Sequence, residues 1–115
     1  MTGLKLKFTQ DIFKMKTKYT KQYFYEFFSK LKKQGKLGTG QLMKNDGKTP
    51  CCALGHLGVR FDRFADYRFT NKVVKEKVIA LGRLLGVPKD QNDIDVHINC
   101  IIDANDHNKL LNNLE

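Results

Sequence analysis

The chain has 115 residues, 41% hydrophobic and 29% charged, the balance of an ordinary globular protein and enough for one domain with a modest core. No apolar run approaches the roughly 18 residues of a membrane span, and alternating lysines near Met1 replace the apolar core of a signal peptide, so neither a membrane protein nor an exported one is expected. Three cysteines, two of them adjacent, make an odd set without framework spacing, which disfavours a disulfide-stapled domain and gives a cytoplasmic expectation.

Leu4, Leu6 and Phe8 alternate with Lys5 and Lys7, which predicts a short strand or extended arm within residues 1–18. Tyr19, Tyr23, Phe24, Phe27, Phe28 and Leu31 then recur at helical spacing. They predict an amphipathic helix whose aromatic face enters the core, with Lys32 and Lys33 at its negative end and Gly35 as terminator. Residues 35–50 read as a Gly-rich loop before Pro50, and the Asn45-Asp46-Gly47 turn signal makes Leu42 to Cys51 a small hairpin or ordered loop. These glycines have neither dinucleotide-fingerprint nor Walker spacing.

A second helix is expected from Cys51 or Cys52 to about Val59, with Ala53, Gly55 and Gly58 as a small face that admits another backbone. Arg60 to Phe69 interleaves aromatic residues with arginines, a pattern that suits single-stranded nucleic acid. Asp62 and Asp66 oppose that use, so a loop or short helix packed on the core is predicted. Thr70 or Asn71 caps the next helix, with Val74, Val78, Leu81 and Leu85 in register and Gly86 and Pro88 closing it. Ile94, Ile98, Ile101 and Ile102 favour a further helix over a strand. Asp103 to Asp106 breaks that pattern, and Asn105 or Asp106 is expected to cap a terminal helix carrying Leu110, Leu111 and Leu114. The expected fold is mainly α: a compact bundle of four to five short helices in one domain, with a short N-terminal strand or small hairpin.

The net charge of +9 is unevenly placed. Residues 1–50 hold twelve lysines against Asp11, Glu26 and Asp46, whereas the remainder balances nine cations with nine acids. A one-sided positive field raises encounter rates with polyanions. Lysine is a point charge without the bidentate fork of arginine, so such contacts are non-specific, and plain solvation of the surface is the competing reading.

Cys52-Ala53-Leu54-Gly55, preceded by Asp46-Gly47 and a helix ending Lys33-Gln34-Gly35, and followed by Asn105-Asp106, resembles a poorly characterised family of small bacterial and phage proteins. Members carry a Cys-Ala-Leu-Gly-Ala helix and a downstream Asn-Asp pair; this chain has His56 in place of the last Ala. The resemblance implies a phage or mobile-element accessory protein working inside a bacterium, and the family supplies no agreed activity.

Three chemistries fit these segments. Cys52 at a helix start, with His56 or His107 as base and Asn105 or Asp106 as orienting group, would make a thiol nucleophile. Cys52, His56, His97 and Cys100 pair at helical spacings into a Cys2His2 set for zinc, although not with finger spacing. The structural alternative makes Cys52, Ala53 and Gly55 the small face of a buried helix and has Asn105 or Asp106 bonding free N–H groups at a helix start, with Asp106 tying the two segments together. That alternative accounts for the residue types without a reaction or a cofactor. The functional expectation therefore rests on Lys30, Lys32, Lys33 and Lys36, and then on Lys14, Lys16, Lys18 and Lys21. They would bind an acidic partner: nucleic acid, nucleotide or a host protein, and no membrane.

Overall fold

Thr20 opens the first helix by accepting a hydrogen bond from the Tyr23 N–H at 3.1 Å, an N-cap that satisfies one of the donors left free at a helix start. The computed structural model describes residues 19–115; the expected N-terminal arm, with Lys14, Lys16 and Lys18, lies outside the described residues. Helix α1 runs Lys21–Lys33, α2 Ala53–Leu57, α3 Lys72–Leu84, α4 Ile94–Asp106 and α5 Leu110–Leu114. Between α2 and α3 stand two short antiparallel strands, β1 Val59–Phe61 and β2 Tyr67–Phe69. Helix dominates among the described residues, as expected, with β1 and β2 paired as a two-stranded hairpin.

The three long helices end alike. After each, the chain passes through a left-handed residue, Gly35 at φ +70, Gly86 at φ +119 and Asn108 at φ +57. The next N–H then reaches back five residues, Lys36 to the Leu31 carbonyl at 2.9 Å, Val87 to Gly82 at 3.0 Å and Lys109 to Ala104 at 2.8 Å. These are Schellman closures, which pair carbonyls that the helix end would leave open. The Gly35 and Gly86 stops are those read from sequence.

The core gathers Phe24 and Phe28 of α1, Leu54 of α2, Val78 and Leu81 of α3 and Ile98 and Ile101 of α4, all fully buried. The Phe24 and Phe28 rings stack 6.2 Å apart, so the aromatic stripe of α1 is core. Where α3 meets α4, Gly82 admits the buried His97 ring, which would collide with any Cβ there. His97 Nε2 lies 3.0 Å from the Gln91 carbonyl. Since a carbonyl only accepts, that nitrogen carries the proton.

Three local expectations change. Arg60 to Phe69 is not a loop or short helix packed on the core: Val59 pairs with Phe69 and Phe61 with Tyr67 in a hairpin. Its turn is built by Asp62, whose carboxylate accepts from the N–H groups of Phe64 at 2.8 Å and Asp66 at 3.0 Å, and by Ala65 in the left-handed region at φ +62. The Asp62 N–H also pairs with the Asp66 carbonyl at 2.9 Å, which narrows the connection to residues 63–65, and a three-residue connection normally has glycine at the left-handed position. Alanine there hides the signal. Second, α4 does not break at Asp103 but continues to Asp106. Asn105 and Asp106 therefore do not cap the terminal helix, which starts after Lys109 without a side-chain cap. Third, α2 is a five-residue helix stopped at Gly58 by its φ of +110, short of Val59, which begins β1.

The loop before α2 is ordered by hydrogen bonds. Asp46 accepts from the backbone N–H of Lys48 at 2.8 Å and of Thr49 at 2.9 Å, and from the Thr49 hydroxyl at 2.6 Å. Met43 bridges Pro50, so Leu42 to Cys51 is a minimal hairpin. No helix among the described residues is long and apolar enough to cross a membrane.

Candidate functional site

Helix α2 begins without a side-chain cap of its own at Cys52. A distant side chain supplies the missing partner. Asn105, on α4 and only 5% exposed, accepts from the Ala53 N–H at 3.2 Å and donates to the Gly38 carbonyl at 3.0 Å. Its neighbour Asp106 accepts from the Gly40 N–H at 3.0 Å. One amide thus ties the α2 start, the Gly-rich loop and α4 into a joint, and the carboxylate adds an outer tie to the loop. The bond to the α2 start expected from Asp106 is made by Asn105 instead; Asp106, one residue on, reaches the Gly40 N–H of the loop and not the helix. Gly55 completes the joint, because a Cβ there would run into the Leu42 carbonyl. The small face of α2 is needed for this backbone approach.

Beside the joint lies a cleft of about 130 Å³ lined by Cys52, Asn105, Asp106, Phe61, Tyr67 and Ile102, among others. Burial pushes the Cys52 thiol up, against the pull of the N–H groups of Gly55 and Leu54. It is therefore a protonated thiol near neutral pH, the less nucleophilic form. Of the residues considered for thiol chemistry, Cys52, Asn105 and Asp106 line this one cleft. The imidazoles engage elsewhere: His56 Nε2 is 2.7 Å from the Lys36 carbonyl, and His107 Nδ1 is 2.8 Å from the Asp103 carbonyl and 3.2 Å from its carboxylate.

The four residues considered for zinc also have separate surroundings. His56 is held at Lys36, His97 at Gln91, and the Cys100 thiol lies 3.8 Å from the Leu85 carbonyl. Among the described residues, no three His, Cys, Asp or Glu side chains group in a way that could hold a metal ion. Burial pushes the Cys100 thiol up as well.

The lysines present the opposite picture. Lys21, Lys30, Lys32, Lys33 and Lys36 are all exposed, and among the described residues no carboxylate lies within 4.0 Å of any of them. Lys30, Lys32 and Lys33 occupy the last turn of α1, where the helix dipole favours cations. Glu26, the one acid on α1, accepts a hydrogen bond from Gln22 at 3.2 Å.

Sequence reasoning missed the cleft walls. Phe61 and Tyr67 face each other across the hairpin with ring centroids 5.1 Å apart, and their alternation with Arg60 and Arg68 was the available signal for strands. No protein-family model, no curated protein and no solved structure matches the chain.

Proposed function

We propose that the protein is a non-enzymatic binding protein that engages an acidic partner through the lysines at the end of α1 and in the loop that follows. The observation that carries the reading is the set Lys30, Lys32, Lys33 and Lys36: four exposed cations within seven residues, none paired with a carboxylate among the described residues. Together with Lys21, Lys44 and Lys48 they outnumber the acids of residues 19–50, Glu26 and Asp46. Residues 1–18 add five lysines against Asp11.

Four ammonium groups at the end of one helix attract phosphates or carboxylates by charge, without selecting their arrangement. The partner is met as a polyanion: nucleic acid first, with a nucleotide or an acidic host protein face as the other members of the class. The bacterial-cell setting implied by the resemblance belongs to the same proposal. The buried protonated thiol and the engaged imidazoles support a non-enzymatic role over thiol catalysis.

The test is fluorescence anisotropy with a labelled 20-nucleotide single strand, the matching duplex and a poly-glutamate peptide. Binding to at least one, weakening steeply between 50 and 200 mM salt, is the expected result, because neutralised phosphates release counterions. Absence of binding to all three at low salt refutes the proposal.

A further inference from the structure

The cleft beside the joint has a character opposite to that of the lysine surface. Its walls are mainly apolar and aromatic, with Gln41 and Asn105 as neutral polar members, and among the described residues that line it Asp106 is the one charged side chain, with no Lys or Arg. The Cys52 thiol that shares the cleft adds no second charge near neutral pH, since burial pushes it up. Asp106 uses Oδ1 for the Gly40 N–H at 3.0 Å and meets the Asn105 amide at 3.4 Å through the same oxygen. Its Oδ2 has no hydrogen-bond or ion-pair partner among the described residues.

Size narrows the occupant. At about 130 Å³ the space is close to the roughly 150 Å³ apolar cavity that takes up a single benzene. Phe61 forms one wall while remaining 52% exposed, stacked on Tyr67 at an interplanar angle of 30°. A ring sliding against that wall would remove aromatic surface from water, which is favourable. A cation on the same molecule would meet the free Asp106 oxygen at the rim. No lysine among the described residues lines the cleft, and salt screens charges beyond about 8 Å.

We propose that this cleft binds a free small organic cation, a one-ring amine, with its ring between Phe61 and Ile102 and its ammonium on Asp106. This site is independent of the lysine surface and does not rest on the polyanion reading.

The test is an amide-shift NMR titration of the full chain with benzylammonium, benzyl alcohol and benzoate at constant ionic strength. Benzylammonium should shift the amides of Gly40, Cys52 and Ile102 and bind about fivefold more tightly than benzyl alcohol, the scale of one exposed ion pair, with benzoate weakest. Asp106→Asn keeps an oxygen for the Gly40 N–H and should erase the preference while leaving benzyl alcohol binding intact. Phe61→Ala, at a half-exposed position, should weaken all three ligands. Benzoate binding as well as benzylammonium, a preference that survives Asp106→Asn, or no cleft shifts at millimolar ligand would each overturn the assignment.

Discussion

The joint around Asn105 and the end of α1 are built on opposite terms. In the joint, an amide and a carboxylate are placed against backbone N–H and carbonyl groups that would otherwise be unpaired, with a buried thiol beside them. At the end of α1, four side chains of the plainest chemistry stand in solvent without a carboxylate partner among the described residues. Residue type alone suggests the joint as the working site; partner bookkeeping suggests the lysines. A buried polar side chain with all its bonds made is an architectural element, and its removal is felt as stability.

Three substitutions and one titration would break or sharpen this contrast. The largest effect is expected from Asn105→Ala, which leaves the Ala53 N–H and the Gly38 carbonyl without their partner. The loss should be about 3 kcal/mol, at roughly 1–3 kcal/mol for each orphaned group, and a thermal melt should fall by roughly 10 °C. An unchanged melting temperature would remove the joint from the account. Gly55→Ala comes close behind: its methyl would enter the Leu42 carbonyl, and overpacking against backbone costs about 1–3 kcal/mol. Chemical denaturation would measure it.

Ala65→Gly should act in the other direction. The position is left-handed at φ +62, and glycine relieves that cost at the expense of a more flexible unfolded chain, for a net gain of about 0.5–1 kcal/mol. A hairpin that loses stability on this change would contradict the turn described here. The smallest effect concerns Asp46, whose carboxyl is lowered from 3.8 to about 2, first by the Thr49 hydroxyl and then by the Lys48 and Thr49 N–H groups. A lowered folded-state value contributes stability that is present above the unfolded value near 4 and lost as pH falls through about 2. The Thr49 amide resonance should therefore hold its position down to about pH 3 and move only below it.

Much of this arrangement was legible in the sequence. The cap at Asn71, the stops at Gly35 and Gly86 and the aromatic core face of α1 follow from local chemistry, and local chemistry is what one sequence displays. The hairpin was harder to read because alanine stands where its turn geometry calls for glycine, which leaves the short alternation of Arg60 and Arg68 with aromatic residues as its one signal. The continuation of α4 through Asp103 to Asp106 was hidden for a different reason. Polar residues there look like a helix break until Asn105 is seen to serve the start of α2, fifty-two residues away. The cleft depends on strands and helices brought together by the fold, and no spacing along the chain announces it.

The most direct test of the central claim is the salt dependence of polyanion affinity, measured on the wild type and on the variant with Lys30, Lys32, Lys33 and Lys36 all changed to Gln. The wild type should show a steep negative slope of log affinity against log salt. The variant should lose about three to four units of that slope on duplex DNA, at about 0.9 per neutralised phosphate, while melting within a few degrees of the wild type. Equal slopes for the two proteins, or wild-type affinity flat between 50 and 200 mM salt, would contradict the account.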